Sequence, residues 1–280
     1  MLTRLDRMLL AVRDREAAAD TFHDILGAER VREDSSPLLG ALRTVVQAGV
    51  SEFELLEPAG EGPIAGHLER WGEGIFAAGF ATSDVEALAA RLSDRGVQYS
   101  RDSGRLFIPA GQTPGMNTVI SPDEPRSPVG LIKWVYEVTN IVDDHAQAAA
   151  FYADIFGLDA SRFSPIHSEQ YGYTGTLTLF NPPEQLDRIE LTQITEPSRP
   201  MGRFYARRGQ SIYMCFVETD EVAAIQGRLE ERACRYTPAR PDPEPQELFI
   251  HPTALHGMLM GVSRTNLAWV WSGRPELAKR

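Results

Sequence analysis

The chain contains one segment twice, and this repeat constrains its fold more than any other feature. Residues 105–121 read RLFIPAGQTPGMNTVIS, and residues 247–263 read ELFIHPTALHGMLMGVS, without a gap between them in the alignment. The copies differ at Pro109 and Pro114, which become His251 and His256 in the second copy. The positions of the first copy that are unchanged in the second are Leu106, Phe107, Ile108, Gly115, Met116 and Ser121. The chain is therefore a duplicated unit.

A second pair of segments shows the same duplication nearer the start of each half. Arg7–Gly27 aligns with Glu137–Gly157, and Asp14 falls opposite Asp144. The alternating apolar residues before each aspartate predict a strand, and the aspartate predicts the start of a helix as its N-cap. The glycine that ends each segment can adopt the left-handed conformation that closes a helix.

A third match pairs residues 75–85 with residues 212–222, and it again runs from a strand into a helix. Each opening precedes residues rich in Thr, Val, Phe and turn formers, which predict two or three antiparallel strands. We therefore predict an α+β fold of four βαβββ modules, over residues 3–59, 71–122, 131–197 and 208–264. The proline-rich residues 121–129 link the halves, so we expect an N-terminal domain over 1–124, a C-terminal domain over 125–264 and a tail over 265–280.

Two segments fall outside the repeat. The proline-rich residues 237–246 have no counterpart in the first half, and we interpret them as a surface loop or as a lid over a pocket. In the tail, the spacing of Trp269 and Trp271 predicts a strand with both indoles on one face, packed on the sheet or on a partner subunit.

Composition restricts the class of protein. The net charge of −11 argues against nucleic-acid binding, and no basic run is longer than two residues. The two cysteines form no CxxC motif, the N-terminus does not resemble a signal peptide, and no uncharged apolar segment reaches 18 residues. We expect a cytoplasmic protein without a membrane or nucleic-acid partner, either a monomer or a homodimer, that acts on a small molecule.

The four modules resemble the vicinal oxygen chelate superfamily, which includes glyoxalase I, methylmalonyl-CoA epimerase, extradiol dioxygenases and bleomycin-resistance proteins. The most specific segments are residues 144–158, DHAQAAAFYADIFGL, and residues 249–260, FIHPTALHGMLM. They are most similar to the epimerase and glyoxalase branch. The resemblance covers residues 3–264 and implies that each pair of modules rolls its sheet into a half-barrel cup, so that the chain holds two cups.

The resemblance also implies a divalent metal in each cup, held by His, Gln or Glu side chains on the first and last strands of the modules. The corresponding positions here are Arg7, Glu54, Ala77 and Val119 in the first half, and Glu137, Glu190, Met214 and Gly261 in the second. A divalent site needs at least three convergent nitrogen or oxygen ligands. We therefore predict that the usual metal centre is absent and leave any other cofactor unknown.

Glu137 and Glu190 are the strongest catalytic candidates that the resemblance places in the second cup. Two carboxylates in a half-apolar cup raise each other's pKa and can divide into an acid and a base. Glu137 could instead pair with Lys133, or either side chain could face solvent at a sheet edge. The pair favours an isomerase or lyase that moves a proton beside a carbonyl group.

Histidines and tyrosines supply the remaining candidates in the second half. We expect His251, or a tyrosine from Tyr171 and Tyr173, to polarise the carbonyl or hold an enolate. Alternation places the two tyrosines on one face, where cross-strand packing is the alternative role. His167 and His256 are further substrate-binding candidates. Our alignment places Tyr213 on the face away from the cup.

In the first cup we expect an ion pair between Arg7 and Glu54 where a metal would otherwise sit. A buried arginine can also hold a substrate carboxylate, so both residues stay substrate-binding candidates. A non-catalytic, resistance-like binding protein is the alternative function, and a metal-dependent extradiol dioxygenase or glyoxalase is a weaker one. No GxGxxG, P-loop, GxSxG or HExxH motif supports other chemistry.

Overall fold

The computed structural model describes residues 2–182, 184–240 and 246–277. These residues form two eight-stranded sheets with α-helices packed against them. The elements of the first half are β1 (Leu2–Ala11), α1 (Arg15–Leu26), β2 (Glu29–Ser36), β3 (Ala41–Ala48), β4 (Ser51–Pro58), α2 (Pro63–Trp71), β5 (Gly74–Thr82), α3 (Val85–Asp94), β6 (Ser100–Asp102), β7 (Arg105–Ile108) and β8 (Thr118–Pro122). Those of the second half are β9 (Trp134–Ile141), α4 (His145–Phe156), β10 (Ser164–Ser168), β11 (Tyr173–Leu179), β12 (Arg188–Ile194), α5 (Pro200–Arg208), β13 (Ser211–Glu218), α6 (Val222–Glu231), β14 (Tyr236–Arg240), β15 (Glu247–Ile250), β16 (Met260–Ser263) and α7 (Thr265–Trp271).

The two sheets have the same topology. The strand order is β2-β3-β4-β1-β5-β8-β7-β6 in the first and β10-β11-β12-β9-β13-β16-β15-β14 in the second. In each sheet the first strand lies parallel to the last strand of its own module and antiparallel to the first strand of the next module. This arrangement confirms the α+β fold of four βαβββ modules. The repeated segment of the sequence is the β7–β8 hairpin in one half and the β15–β16 hairpin in the other.

The helix signals in the sequence act as predicted. The carboxylates of Asp14 and Asp144 accept hydrogen bonds from the first backbone N–H groups of α1 and α4. Gly27 and Gly157 end these helices at φ values of 70° and 67°, a conformation that costs a glycine little.

In each half, one helix that the sequence analysis did not predict lies between the two modules. Both α2 and α5 begin with a proline in the first turn, and a glycine follows each. Ile64 and Leu68 of α2 pack against the inner face of the first sheet, and Met201 of α5 packs against that of the second. These helices therefore cover one end of each cup.

The central strands carry bulges at equivalent positions in the two halves. In β1 and β9, Asp6 and Tyr136 are bulged residues without a register partner on the adjacent strands β5 and β13. In β5 and β13, Phe76 and Tyr213 are the bulged residues that lack a partner on β1 and β9. A bulge lets two consecutive side chains face the same side of a sheet. Tyr213 accordingly packs in the cup beside Phe204, with ring centroids 5.0 Å apart, so its predicted outward orientation was wrong.

The tail forms α7 and not a strand, which corrects the prediction for Trp269 and Trp271. Trp269 is 5% exposed, and the ring of Trp271 lies 5.6 Å from that of Phe216. The predicted packing of the tail on the sheet is therefore present, although the two-residue spacing indicated the wrong element. The first residues of the proline-rich insertion, 237–240, belong to β14 and pair with β15, so the prediction of a loop or lid was wrong for them. Residues 241–245 lie outside the described residues, and the prediction is not tested there.

The halves share one apolar core, to which α1, α3, α4 and α6 all contribute. Two buried hydrogen bonds join the halves at equivalent places: Leu5 N donates to Asp187 Oδ1 at 2.7 Å, and Val135 N donates to Ser51 Oγ at 2.9 Å. None of the helices in the described part of the chain has the length and apolar character needed to cross a bilayer.

Candidate functional site

The second cup brings Glu137 and Glu190 together on the parallel neighbours β9 and β12. Thr139 lies between them. Its hydroxyl donates to Glu190 Oε2 at 2.7 Å and lies 3.4 Å from Glu137 Oε1. Glu137 is 2% exposed and Glu190 is 5% exposed, so both carboxyl groups are shielded from bulk water. The carboxyl pair that the sequence analysis expected in the cup is therefore present.

Arg188 forms an ion pair with one member of this pair. Its Nε donates to Glu137 Oε2 at 2.6 Å, and the side chain is fully buried. Lys133, the alternative partner for Glu137, instead pairs with Glu218 and Asp220. The sequence analysis missed Arg188, although alternation along RIELTQI places it on the same face as Glu190.

Glu190 has a different electrostatic environment. Burial and the negative charge of Glu137 hold the pKa of Glu190 well above its usual range. Among the residues that the structure describes, no Arg or Lys forms a salt bridge with Glu190. The arrangement therefore combines a carboxyl group that is ion-paired with Arg188 and a carboxyl group whose pKa is raised, an asymmetry that suits acid–base chemistry.

Tyr173 is the third polar group at the pair. It is buried at the start of β11, and burial and the nearby Glu190 raise the pKa of its hydroxyl. Tyr171 lies in the turn before β11 and reaches across the cup to Phe249, with ring centroids 6.4 Å apart. Tyr173 thus faces the carboxyl pair, whereas Tyr171 covers the cup.

An aromatic wall lines the other side of the second cup. The wall residues are Tyr136, Phe216, Phe249, Trp269 and Trp271. The guanidinium carbon of Arg188 lies 5.1 Å from the ring centre of Tyr136, and its Nη1 donates to Ser272 Oγ at 2.7 Å. The tail therefore contributes both to the wall and to the hydrogen bonds that hold Arg188.

The predicted histidines lie away from the carboxyl pair. His251 follows β15, three strands from β9 or about 14 Å at the usual strand spacing, and its Nδ1 contacts Thr253 Oγ1 at 3.1 Å. Burial and Arg235 lower its pKa. His256 lies between the two halves, beside Thr21 and Glu73. His167 is exposed on β10, and its neighbour Ile166 faces the cup. The structure therefore does not group these histidines with Glu137 and Glu190.

The first cup contains the predicted ion pair between Arg7 and Glu54, at 2.8 Å. Two further arginines, Arg43 and Arg105, also contact the fully buried Glu54. Burial alone would raise the pKa of Glu54, but the charges of Arg105, Arg7 and Arg43 lower it to about 2. Sequence reasoning missed Arg105, which comes from the distant strand β7, and Arg43, which lies on β3, the strand paired with β4.

The two cups are opposite in charge around the equivalent glutamates. Register places Glu54 opposite Val45, and it places Glu190 opposite Leu177. The three arginines around Glu54 are Arg7, Arg43 and Arg105. In the alignment of the two halves, their counterparts are Glu137, Gly175 and Glu247, respectively. The first cup is therefore filled by an ion network, whereas the second cup places a protonatable glutamate among carboxyl and aromatic groups.

The residues at the family's metal positions do not fit a metal centre in either cup. At the last of these positions in the second cup, a Cβ on Gly261 would lie 2.1 Å from a ring carbon of Phe216. The described residues contain no group of three or more His, Cys, Asp or Glu that could hold a metal ion. Glu137 and Glu190 remain as two oxygen donors, and one of them is engaged by Arg188.

Two cups built from βαβββ modules, with paired side chains at the first- and last-strand positions, define a vicinal oxygen chelate protein. The sequence model of the Glyoxalase/Bleomycin resistance protein/Dioxygenase superfamily matches residues 4–118 and 135–258. The chain belongs to this superfamily and carries its domain twice.

Three known proteins illustrate the similarity. An ethylmalonyl-CoA/methylmalonyl-CoA epimerase of Cereibacter sphaeroides is 36% identical over 100 residues, which are 35% of this chain and 75% of that protein. A 4-hydroxymandelate synthase variant from Streptomyces coelicolor has the same fold at a TM-score of 0.73 and 13% identity, over 99% of each chain. A methylmalonyl-CoA epimerase from Mycobacterium tuberculosis is 26% identical over 44% of this chain and 90% of its own, at a TM-score of 0.41.

Proposed function

We propose that the chain is an isomerase or lyase of the glyoxalase and epimerase type that moves a proton beside a carbonyl group in the second cup, without the family's usual metal. The single observation that carries this proposal is the buried pair of Glu137 and Glu190, in which Arg188 contacts Glu137 while burial and Glu137 raise the pKa of Glu190. The similarity to an ethylmalonyl-CoA/methylmalonyl-CoA epimerase supports the isomerase class.

The proposal gives each group a role. The Glu137 carboxylate takes a proton from the carbon beside the substrate carbonyl, and the Glu190 carboxyl group returns a proton to carbon or to the enolate oxygen. Tyr173 donates a hydrogen bond to the carbonyl oxygen as negative charge develops on it. The proton gained by Glu137 can return to Glu190 through the hydrogen bond that the two side chains share.

The experiment measures loss of the α-proton signal of small oxo-acids, acyl thioesters and aromatic ketones in D₂O by NMR. We expect exchange with the wild-type protein and a loss of at least about a hundredfold in Glu137→Gln and in Glu190→Gln, in keeping with general acid–base catalysis. Glu69→Gln, on the exposed face of α2, is the matched control. Unchanged turnover in the double variant of Glu137 and Glu190 would rule the proposal out.

A non-catalytic small-molecule binding protein is the second candidate, and the aromatic wall favours it. Five aromatic rings beside a nearly sealed cup suit a hydrophobic ligand that is held and not converted. Ligand-induced quenching of Trp269 and Trp271 without any exchange or conversion would support this function over the first. Metal analysis addresses the weaker dioxygenase or glyoxalase alternative, because a stoichiometric amount of Fe, Mn, Ni, Co or Zn in the purified protein would favour it.

A further inference from the structure

A cavity lies outside both cups, where the two halves meet. Its volume is about 340 Å³, at the lower end of the usual range for small-molecule sites. The first half lines it with α1 and with the residues before β5, and the second half lines it with the end of α6 and the loop between β15 and β16. The polar residues of this lining are Thr21, Asp24, Glu73, Arg232, Cys234, Thr253 and His256.

His256 joins the halves at one end of this cavity. The hydroxyl of Thr21 donates to Ala17 O at 2.9 Å, so it accepts a hydrogen bond from His256 Nε2 at 3.1 Å. The other ring nitrogen, Nδ1, lies 3.4 Å from Glu73 Oε2. His256 has a φ value of 47°, a strained conformation for a residue other than glycine, and strained residues concentrate at functional sites.

A second ion pair lies at the other end of the cavity. Arg232 Nη2 contacts Asp24 Oδ1 at 3.1 Å, and both side chains are partly exposed. Thr21 and Asp24 are about one turn of α1 apart, which is about 5 Å along the helix. The cavity therefore offers acidic and basic groups at both ends over the length of a small organic molecule.

The duplication supplies an internal comparison for this cavity. The ion pair recurs at the equivalent place as Arg95 with Asp154, at 2.7 Å. The five other polar residues, Thr21, Glu73, Cys234, Thr253 and His256, are matched there by Phe151, Gln210, Val97, Gly111 and Pro114. Phe151 and Val97 pack against the shared core. Proline cannot adopt the positive φ value of His256, so the first hairpin cannot present a side chain in this way.

We propose that this interhalf cavity binds a small zwitterion, such as an amino acid. The ammonium group would contact Glu73 at one end, and the carboxylate would contact Arg232 at the other. A ligand with both charges can contact an opposite charge at each end at once, whereas a singly charged ligand can do so at one end alone. The site is independent of the carboxyl pair in the second cup.

The test is a ¹H–¹⁵N NMR titration of the whole chain with glycine, β-alanine and γ-aminobutyrate, alongside propionate and propylamine. We expect at least one zwitterion at millimolar concentration to shift the amides of Thr21, Asp24 and His256, and the singly charged probes to leave them in place. Absence of such shifts with every zwitterion, or equal shifts with propionate or propylamine, would overturn the proposal.

The matched variants come from the chain itself. Thr21→Phe introduces the residue of the equivalent position and should abolish binding by filling the cavity, whereas Phe151→Thr should leave binding unchanged. Glu73→Gln introduces the equivalent of Gln210 and keeps an acceptor for Arg13 N, so it tests the charge in a folded protein. We expect it to weaken binding by about tenfold or more, as for loss of one hydrogen bond to a charged group. Binding as tight as wild type in Glu73→Gln would contradict the assignment.

Discussion

The ring of Phe216 occupies the space that a side chain of Gly261 would need. The two residues are register partners on the parallel strands β13 and β16. At the equivalent place in the first cup the register partners are Gly79 and Val119, so the glycine lies on the other strand. There the glycine makes room for Arg7, whose Cγ would lie 2.2 Å from a Cβ on Gly79. Each cup thus uses one glycine to admit one large side chain, an arginine in the first and a phenylalanine in the second.

Gly261→Ala should destabilise the protein by about 1–3 kcal/mol, because the new methyl group forces the Phe216 ring out of its packed position. Urea denaturation at neutral pH measures this change in the free energy of unfolding. In a Phe216→Ala background the same substitution should cost much less, since the ring is gone, and this double-mutant cycle is the control. An equal cost in both backgrounds would show that the ring does not determine the effect.

The same substitution in the two cups should have different effects. Glu54→Gln leaves Arg7, Arg43 and Arg105 without their central charge and should cost about 3–5 kcal/mol. Glu190→Gln should be close to neutral for stability, because burial and Glu137 raise the pKa of Glu190 and favour its protonated form, which a glutamine resembles. Chemical denaturation of the two variants measures the difference, and equal destabilisation would be inconsistent with the charge assignments of the cups.

Asp187 should make stability depend on pH. Burial raises its pKa to about 7, although the hydrogen bond from Leu5 N opposes the shift. The folded state therefore favours the protonated form. The contribution of this group is fully present below its unfolded pKa and is lost as the pH rises through the folded value. From linkage, we expect the loss to reach roughly 3 kcal/mol between pH 5 and pH 8.

Asp187→Asn keeps an acceptor for Leu5 N and should remove this part of the pH dependence. Unfolding free energies of wild type and variant, measured in urea across the same pH range, give the contribution of Asp187 by difference. Asp94→Asn, on the exposed side of α3, is the control and should follow the wild type. Parallel curves for wild type and Asp187→Asn would refute the assignment.

Trp269→Ala should destabilise the protein by about 3–5 kcal/mol, because it removes a buried indole from the aromatic wall of the second cup. The adjacent Val270 is 48% exposed, so Val270→Ala should change stability by less than about 0.5 kcal/mol. Thermal unfolding compares the two. Similar values would mean that α7 does not pack in the cup in solution.

The architecture was predictable because it depends on periodicity and on an internal repeat. The main carboxyl pair was predictable because the resemblance to the vicinal oxygen chelate superfamily places Glu137 and Glu190 in the second cup. Arg188 was predictable in principle, since it lies two residues before Glu190 on an alternating strand. Tyr213 was not, because a one-residue bulge reverses the direction of the side chains and leaves no mark in a single sequence. The tail was wrongly predicted to be a strand because the two-residue spacing of Trp269 and Trp271 is compatible with one. Packing against Phe216 and its neighbours, which the spacing does not show, accompanies a helix instead.

The interhalf hydrogen bonds at Ser51 and Asp187 show what fusion of the halves makes possible. In a dimer of identical subunits, any residue at such a junction occurs on both sides, so a substitution that benefits one side is imposed on the other. In this chain a neutral hydroxyl serves one junction and a titratable carboxyl group serves the other. A single polypeptide can therefore keep one half as an inert support while the other diverges, a freedom that identical subunits lack.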